Sequence, residues 1–378
     1  MKPMKVLEVI RQGQIGGGES HVLDLIAGFD KSEVTPIVMA YTGGHMIDSL
    51  ERQGIKCYVV ETSKAFDVKV FKKIEDVIRK ENIQIIHAHG SRAASNLLWS
   101  AHKLKLPMMY TVHGWSFHQD QNPIIHKLRA LSEKLICNLS KKVICVSESN
   151  CQSGMEAFGL NRKKCSVIEN GVNLQRFNRY GTFKDIRKEL GIQENEYIVG
   201  FIARITKQKA PLDFLKAIEQ ANRQNPGIKG LFIGEGDMDE EANQYIRTHN
   251  LERIIYRSPF RTDVPDILNA IDCYCLPSLW EGLSIALLEA MAMAKPVVVT
   301  PTDGTKEIIT DRQNGWIVDF NSPDELTKAF LYLSSNPDTA AQYGENAYSL
   351  IEKRFNSKRV SEEVTSIYEN LLCQAKTK

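Results

Sequence analysis

Short apolar runs of four to seven residues recur along the chain, and stretches with helical spacing of apolar positions lie between them. A first series falls at residues 6–10, 36–40, 57–60, 83–86, 108–112 and 143–146. A second falls at 197–203, 230–233, 253–256, 272–276, 296–300 and 316–318. Runs this short and this uniformly apolar suit strands covered on both faces. The pattern therefore predicts an α/β chain with parallel sheets and a helix between successive strands. Two series predict two Rossmann-like domains. Turn signals at 170–173 and 180–182 place the boundary between Gly171 and Gly191. The expected division is a first domain over 1–175, a second over 190–355, and a closing helix over 356–378. In that helix Val360, Val364, Ile367, Tyr368, Leu371 and Leu372 recur at helical spacing.

Composition narrows the class. With 43% hydrophobic and 25% charged residues in a chain of 378, an ordinary globular protein of two domains is expected. No run of 18 apolar residues occurs, and the N-terminus lacks the apolar core of a signal peptide. Eight scattered cysteines without a Cys-x-x-Cys pair suit a reducing compartment, so a cytoplasmic location is expected. The net charge of +2 is unevenly shared: residues 1–180 hold 25 Lys+Arg against 17 Asp+Glu, and residues 181–378 hold 23 against 29. A basic first half suits an anionic surface or acceptor, including peripheral contact with the inner face of a membrane. Nucleic acid is not expected, because the basic residues form no dense run and no nucleic-acid motif occurs.

The most informative stretch is 277–299. An apolar strand leads into a Gly-containing turn, then a helix expected to begin near Leu283, then another apolar strand. Glu281 lies in the turn and Glu289 on the second turn of the helix. At 1.5 Å per residue their α-carbons would be about 12 Å apart, with the helix N-terminus between them. Unpaired N–H groups and the helix dipole make such an end attractive to phosphate. Gly282 leaves room for a ligand to approach the backbone, with Leu283 and Ser284 alongside. A pyrophosphate there could set a sugar near Glu281 and a ribose near Glu289, since carboxylates accept paired hydrogen bonds from vicinal hydroxyls.

The segments Trp280-Glu281-Gly282-Leu283-Ser284 and Leu287-Leu288-Glu289-Ala290-Met291-Ala292 resemble the double-glutamate signature of glycosyltransferase family 4. That resemblance implies the GT-B fold: two Rossmann-like domains facing each other across a cleft, with the C-terminal helix returning to the first domain. It also implies transfer from a nucleotide-sugar, a UDP-sugar foremost, with retention of anomeric configuration.

Other segments agree with it. Arg204 and Lys209 follow the run at 197–203, where cations at a strand's carboxyl end face the ligand crevice of an open α/β sheet. The resemblance places both on the diphosphate, whose growing charge they would stabilise. Gly16, Gly17 and Gly18, before Glu19, match the family's glycine loop facing the donor phosphates. Thr111-Val112-His113-Gly114 resembles its donor-proximal histidine, and Trp115, Phe117 and His118 could stack on an acceptor sugar. Gly234, in Gly234-Glu235-Gly236, could face the base or ribose. His87 and His89 point to one face, but a third metal ligand is not evident. Asp237-Met238-Asp239 matches the metal motif of a different glycosyltransferase architecture and is discounted, because acids favour helix starts.

The expected protein is thus a metal-independent glycosyltransferase without a cofactor, acting on a glycan or lipid-linked glycan acceptor in cell-surface polysaccharide biosynthesis. A GT-B sugar-nucleotide epimerase and a non-catalytic nucleotide-binding module share these features. A dehydrogenase is disfavoured, since the dinucleotide fingerprint is missing.

Overall fold

The computed structural model describes residues 2–14, 16–117 and 122–376, with side chains described to residue 374. The chain divides into two compact units, residues 1–171 with 357–378, and residues 172–356.

The first unit contains strands β1 (Met4–Ile10), β2 (Val34–Ala40), β3 (Lys56–Val59), β4 (Ile85–His89), β5 (Met108–Val112), β6 (Lys142–Cys145) and β7 (Cys165–Val167). Between them run α1 (Gly17–Gly28), α2 (His45–Arg52), α3 (Phe71–Glu81), α4 (Ser91–Lys103), α5 (Pro123–Leu139) and α6 (Glu148–Phe158). The strands form one parallel sheet in the order β3-β2-β1-β4-β5-β6-β7. Alternate residues of β1 face opposite sides. Leu7 and Val9 join a core with α3 and α4, whereas Val6 and Ile10 join one with α1 and α2. Strand β7 was not predicted, because its three residues Cys-Ser-Val follow Arg162-Lys163-Lys164 and form no apolar run.

The second unit follows the same plan. Its elements are α7 (Ile186–Leu190), β8 (Tyr197–Ile202), α8 (Pro211–Gln224), β9 (Ile228–Ile233), α9 (Asp239–Thr248), β10 (Ile255–Ser258), α10 (Val264–Ala270), β11 (Cys273–Leu276), α11 (Ile285–Ala292), β12 (Val297–Val299), α12 (Asp303–Ile308), β13 (Trp316–Ile317), α13 (Pro323–Ser335) and α14 (Pro337–Arg354). The parallel order is β10-β9-β8-β11-β12-β13. Counted within the unit this is 3-2-1-4-5-6, the doubly wound order of a Rossmann sheet.

The last helix, α15 (Ser357–Lys376), belongs to the first unit and packs on α1. Val360, Val364, Tyr368 and Leu371 are buried in the core shared with β1. Burial of the aliphatic side chains among them contributes about 1.5–3 kcal/mol each. Contact between the two helices is close: Ser361 Oγ donates to Leu25 O at 3.0 Å, and a Cβ on Gly28 would lie 2.2 Å from Ser361 Oγ. The chain is therefore two Rossmann-like domains with the final helix returned to the first.

Candidate functional site

In a doubly wound sheet, ligands bind beyond the carboxyl ends of the strands where the order reverses. In the second unit that point lies between β8 and β11, and both strands run into the segments singled out above. After β8 come Arg204 and a short 3-10 turn, Lys207–Lys209. After β11 comes the turn bearing Glu281. The two loops are laced together: Leu279 N donates to Gln208 O at 2.8 Å, and Gln208 Nε2 donates to Trp280 O at 2.7 Å. Lys209 Nζ forms an ion pair with Glu281, both side chains being nearly buried at 12% and 10% exposure. Ser278 Oγ donates to Glu281 Oε1 at 2.8 Å. Two of the anticipated site residues thus neutralise each other, while Arg204 is exposed and its guanidinium pairs with no carboxylate among the described residues.

The helix following this turn starts at Ile285, two residues later than the pattern suggested, because Ser284 is its N-cap and accepts from Leu287 N at 3.4 Å. Gly282 and Leu283 therefore belong to the turn, and the N–H groups of Ile285 and Ala286 have no helical acceptor. Glu289 is buried, one turn inside the helix. Both glutamates lie within electrostatic reach of the Tyr274 phenol on β11, which burial first, and then Glu289 and Glu281, push far above its ordinary value.

Two glycines allow the surrounding loops to approach. Gly234 has φ +139°, and a Cβ there would lie 1.8 Å from Ala203 O. The loop Gly234-Glu235-Gly236 is bonded to the Arg204 loop, with Ile205 N donating to Glu235 O at 3.0 Å and Met238 N to Ile205 O at 3.0 Å. Gly234 thus seats the loop bearing Arg204. On the other side, a Cβ on Gly304 would lie 1.9 Å from Gly282 O, so α12 abuts the glutamate turn. Asp239, from the discounted motif, is engaged by Arg257 at 2.5 Å.

The first unit reverses strand order between β1 and β4. Gly16 caps α1, and Gly17 and Gly18 form its first turn rather than a free loop. A Cβ on Gly18 would lie 3.5 Å from His113 Cδ2, so the glycine turn and the histidine after β5 are neighbours. A buried relay stands behind His113. Its Nε2 is 3.2 Å from His89 Nδ1, and His89 Nε2 is 2.9 Å from Glu8 Oε2. Glu8 also contacts His87 Nδ1 at 3.0 Å and accepts from Tyr368 OH at 2.7 Å.

Charge states follow from this packing. Burial alone would raise the Glu8 carboxyl, but His87, and hydrogen bonds from His87 and His89, hold it below the usual carboxylate range. Burial, then the neighbouring His87, lowers His89 to about 4. Burial, then His89, lowers His21 to about 3. Burial, followed by His21, His89 and His87, holds His113 well below its ordinary value. At neutral pH these three imidazoles are neutral and Glu8 is ionised. A carboxylate only accepts, so His89 Nε2 donates to it and His89 Nδ1 accepts from His113 Nε2. His113 Nδ1 is left as a lone pair, buried and without a hydrogen-bond partner among the described residues. It can accept a hydrogen bond from a hydroxyl.

Among the described residues, three groups of side chains could hold a metal: His21 with His89 and His113, Glu8 with His87 and His89, and Cys145 with Cys151 and Cys165. In the first two, a metal would have to take a nitrogen of His89 from Glu8 or from His113. The cysteines are buried, with Sγ atoms 3.0 and 3.5 Å apart, and belong to the core around β6.

Trp115 corrects the expectation of an acceptor-stacking ring. It is buried, its Nε1 donates to Asn150 O at 2.8 Å, and its ring covers Gly154 so tightly that a Cβ there would lie 2.5 Å away. Phe117 is partly buried against it, and His118 lies outside the described residues. Ser278, Gln208 and the Glu8–His89 relay were missed. Glu8 gave a signal, as a lone acid inside an otherwise apolar strand.

Known proteins resemble both halves. Residues 182–350 match the family described as Glycosyl transferases group 1, and residues 15–176 match Glycosyltransferase Family 4. The chain is 26% identical over 275 residues to the UDP-Gal:alpha-D-GlcNAc-diphosphoundecaprenol alpha-1,3-galactosyltransferase of Escherichia coli, covering 71% of each chain. It is 23% identical to the alpha-monoglucosyldiacylglycerol synthase of Acholeplasma laidlawii, covering 88% of this chain and 84% of that one. Among solved structures, Anabaena Alr3699/HepE in complex with UDP and glucose superposes with a TM-score of 0.84 at 21% identity, covering 97% of this chain and 99% of that one.

Proposed function

The chain belongs to the group 1, family 4 glycosyltransferases, and on that footing we propose that it moves a sugar from a UDP-sugar to a hydroxyl of a glycan or lipid-linked glycan, with retention. The observation that carries the reading is the meeting of Arg204, Lys209, Glu281 and the N-terminus of α11 at the reversal of strand order in the second unit. Unpaired N–H groups and Arg204 suit the two phosphates. Bound diphosphate would draw Lys209 towards itself and release the Glu281 carboxylate to the sugar hydroxyls. Glu289 is assigned to the ribose, and Gly234 and its loop to the base side. Within the first unit, Gly16–Gly18 and His113 keep the donor-side role that the family resemblance gives them.

In the proposed step the acceptor oxygen bonds to the anomeric carbon on the face from which the diphosphate leaves. The carbon–oxygen bond to phosphate breaks, and a phosphate oxygen takes the acceptor's proton. Cations fixed near the leaving group stabilise its developing charge more than they stabilise the bound donor. No metal or cofactor is assigned to this chemistry. No helix among the described residues is long and apolar enough to cross a membrane, and the reaction is assigned to the cytoplasm, in the assembly of cell-surface polysaccharide. The diphosphoundecaprenol acceptor named for the Escherichia coli relative supports a lipid-linked acceptor.

The test incubates the protein with a panel of nucleotide-sugars and lipid-linked or soluble glycans, reading nucleotide release and the anomeric configuration of the product. UDP release that depends on acceptor, with the donor's configuration kept, is expected. Absence of turnover across the panel, or an inverted product, overturns the assignment.

A further inference from the structure

Helix α5 has its polarity reversed relative to an ordinary surface helix. Its buried face is Ala130, Glu133, Ile136 and Cys137. The opposite face carries Ile124, Leu128, Leu131, Leu135 and Leu139, exposed by 46–70%. Their spacing of four, three, four and four residues puts all five within one narrow stripe. At 1.5 Å per residue the stripe is about 22 Å long. Isolated exposed leucines are unremarkable, but a continuous stripe of five marks a contact surface.

Charge identifies the occupant. Lys127 and Lys134, seven residues apart, flank one side of the stripe, and Arg129 flanks the other. All three are exposed. The one acid of the helix, Glu133, is wholly buried and bonded to Tyr110 OH at 2.9 Å and Ser116 N at 3.2 Å. Lys141 follows at the C-terminal end, exposed as well. An apolar stripe bordered by cations and free of exposed acid is suited to lie in the plane of an anionic bilayer. A second copy of the chain would bring the same cations against one another.

We propose that α5 is a membrane-docking helix, whose Ile124–Leu139 stripe enters the headgroup boundary of a bilayer containing anionic lipid while Lys127, Arg129 and Lys134 meet its phosphates. The helix is tied to the segment following His113: Arg129 Nη1 donates to Ser116 O at 2.8 Å, and the Phe117 ring lies 5.3 Å from that of His126. Docking therefore sets lipid beside the segment that carries His113. Vesicle binding requires nothing of the proposed reaction, so the two can fail separately.

The experiment is co-sedimentation of the full chain with vesicles of phosphatidylcholine alone and of phosphatidylcholine mixed with phosphatidylglycerol, at low and high salt. Binding to the mixed vesicles, weakened by salt, is expected. Each lysine near an anionic surface strengthens partitioning about fivefold, so Lys127→Gln with Lys134→Gln should weaken it roughly 25-fold. Leu128→Glu with Leu135→Glu should abolish it. These side chains are exposed, and an unchanged circular-dichroism spectrum and melting temperature of each variant verify an intact fold. Failure of the wild type to sediment, or equal sedimentation of the glutamate variant, overturns the proposal. So does a dimer in sedimentation velocity that the glutamate variant dissolves while vesicle binding persists, which would make the stripe an interface between copies.

Discussion

Tyr368, on the final helix, donates to Glu8 on the first strand at 2.7 Å, joining residues 360 positions apart. Around that bond the first unit arranges His87, His89 and, through His89, the candidate site residue His113. Removing the hydroxyl leaves a buried carboxylate one donor short, at a cost of about 1–3 kcal/mol. Tyr368→Phe should therefore lower the urea midpoint of the first unit while leaving UDP binding to the second intact. An unchanged midpoint would show that the bond contributes nothing to the fold.

Stability of the first unit should depend on pH in a defined direction. His89 falls from its ordinary 6.5 to about 4 on folding, and His21 falls to about 3. The unfolded chain therefore binds more protons than the folded one between pH 6.5 and 4, so stability is complete above 6.5 and lost as pH falls through that window. Each histidine contributes a slope of about 1.4 kcal/mol per pH unit. Glu8, lowered as well, adds its loss only at more acidic pH. Urea titrations at pH 7, 6 and 5 should show the midpoint falling, and His89→Gln should flatten the slope by one proton's worth. A midpoint that rises with acidification would contradict the neutral relay.

Lys209 and Glu281 are coupled, and removing one partner strands a nearly buried charge. Lys209→Ala should lower kcat by about 100-fold, more than it raises the donor KM. Adding Glu281→Gln should recover thermal stability without recovering turnover. A double-mutant cycle in both observables separates the structural role from the chemical one. Strict additivity in stability would dissolve the pair.

Gly234 is a position where a methyl group does damage. With φ +139° and Ala203 O 1.8 Å from the added carbon, Gly234→Ala should cost about 2 kcal/mol or more and displace the loop bearing Arg204. The expected signature is a lower melting temperature together with weaker UDP binding by calorimetry. Wild-type affinity in a destabilised protein would uncouple the glycine from that loop.

Much of the fold was legible, because uniformly apolar runs between helical stretches leave few alternatives to parallel sheets. Strand β7 escaped for the opposite reason, being three residues with a polar centre beside a basic cluster. In the site, Glu281 and Glu289 stood out through their setting of strand, glycine turn and apolar helix. The pairing of Glu281 with Lys209 did not, since these two residues, each noted separately, meet only once two loops converge. His113 was visible through its likeness to a family pattern, whereas its connection to Glu8 needs the register that sets Glu8 opposite His87. Trp115 was misread because a sequence gives an aromatic ring no side: the neighbouring glycine it covers is 39 positions away.

The return of α15 to the first unit bears on how the protein is made. A ribosome delivers β1 well before Tyr368, so the Glu8 carboxylate waits for that partner while the residues that separate them by 360 positions are made. Residues 172–356 have all emerged before α15 does, and nascent domains generally mature as units. The second unit can thus be finished first, while the interior of the first stays open until α15 has been made.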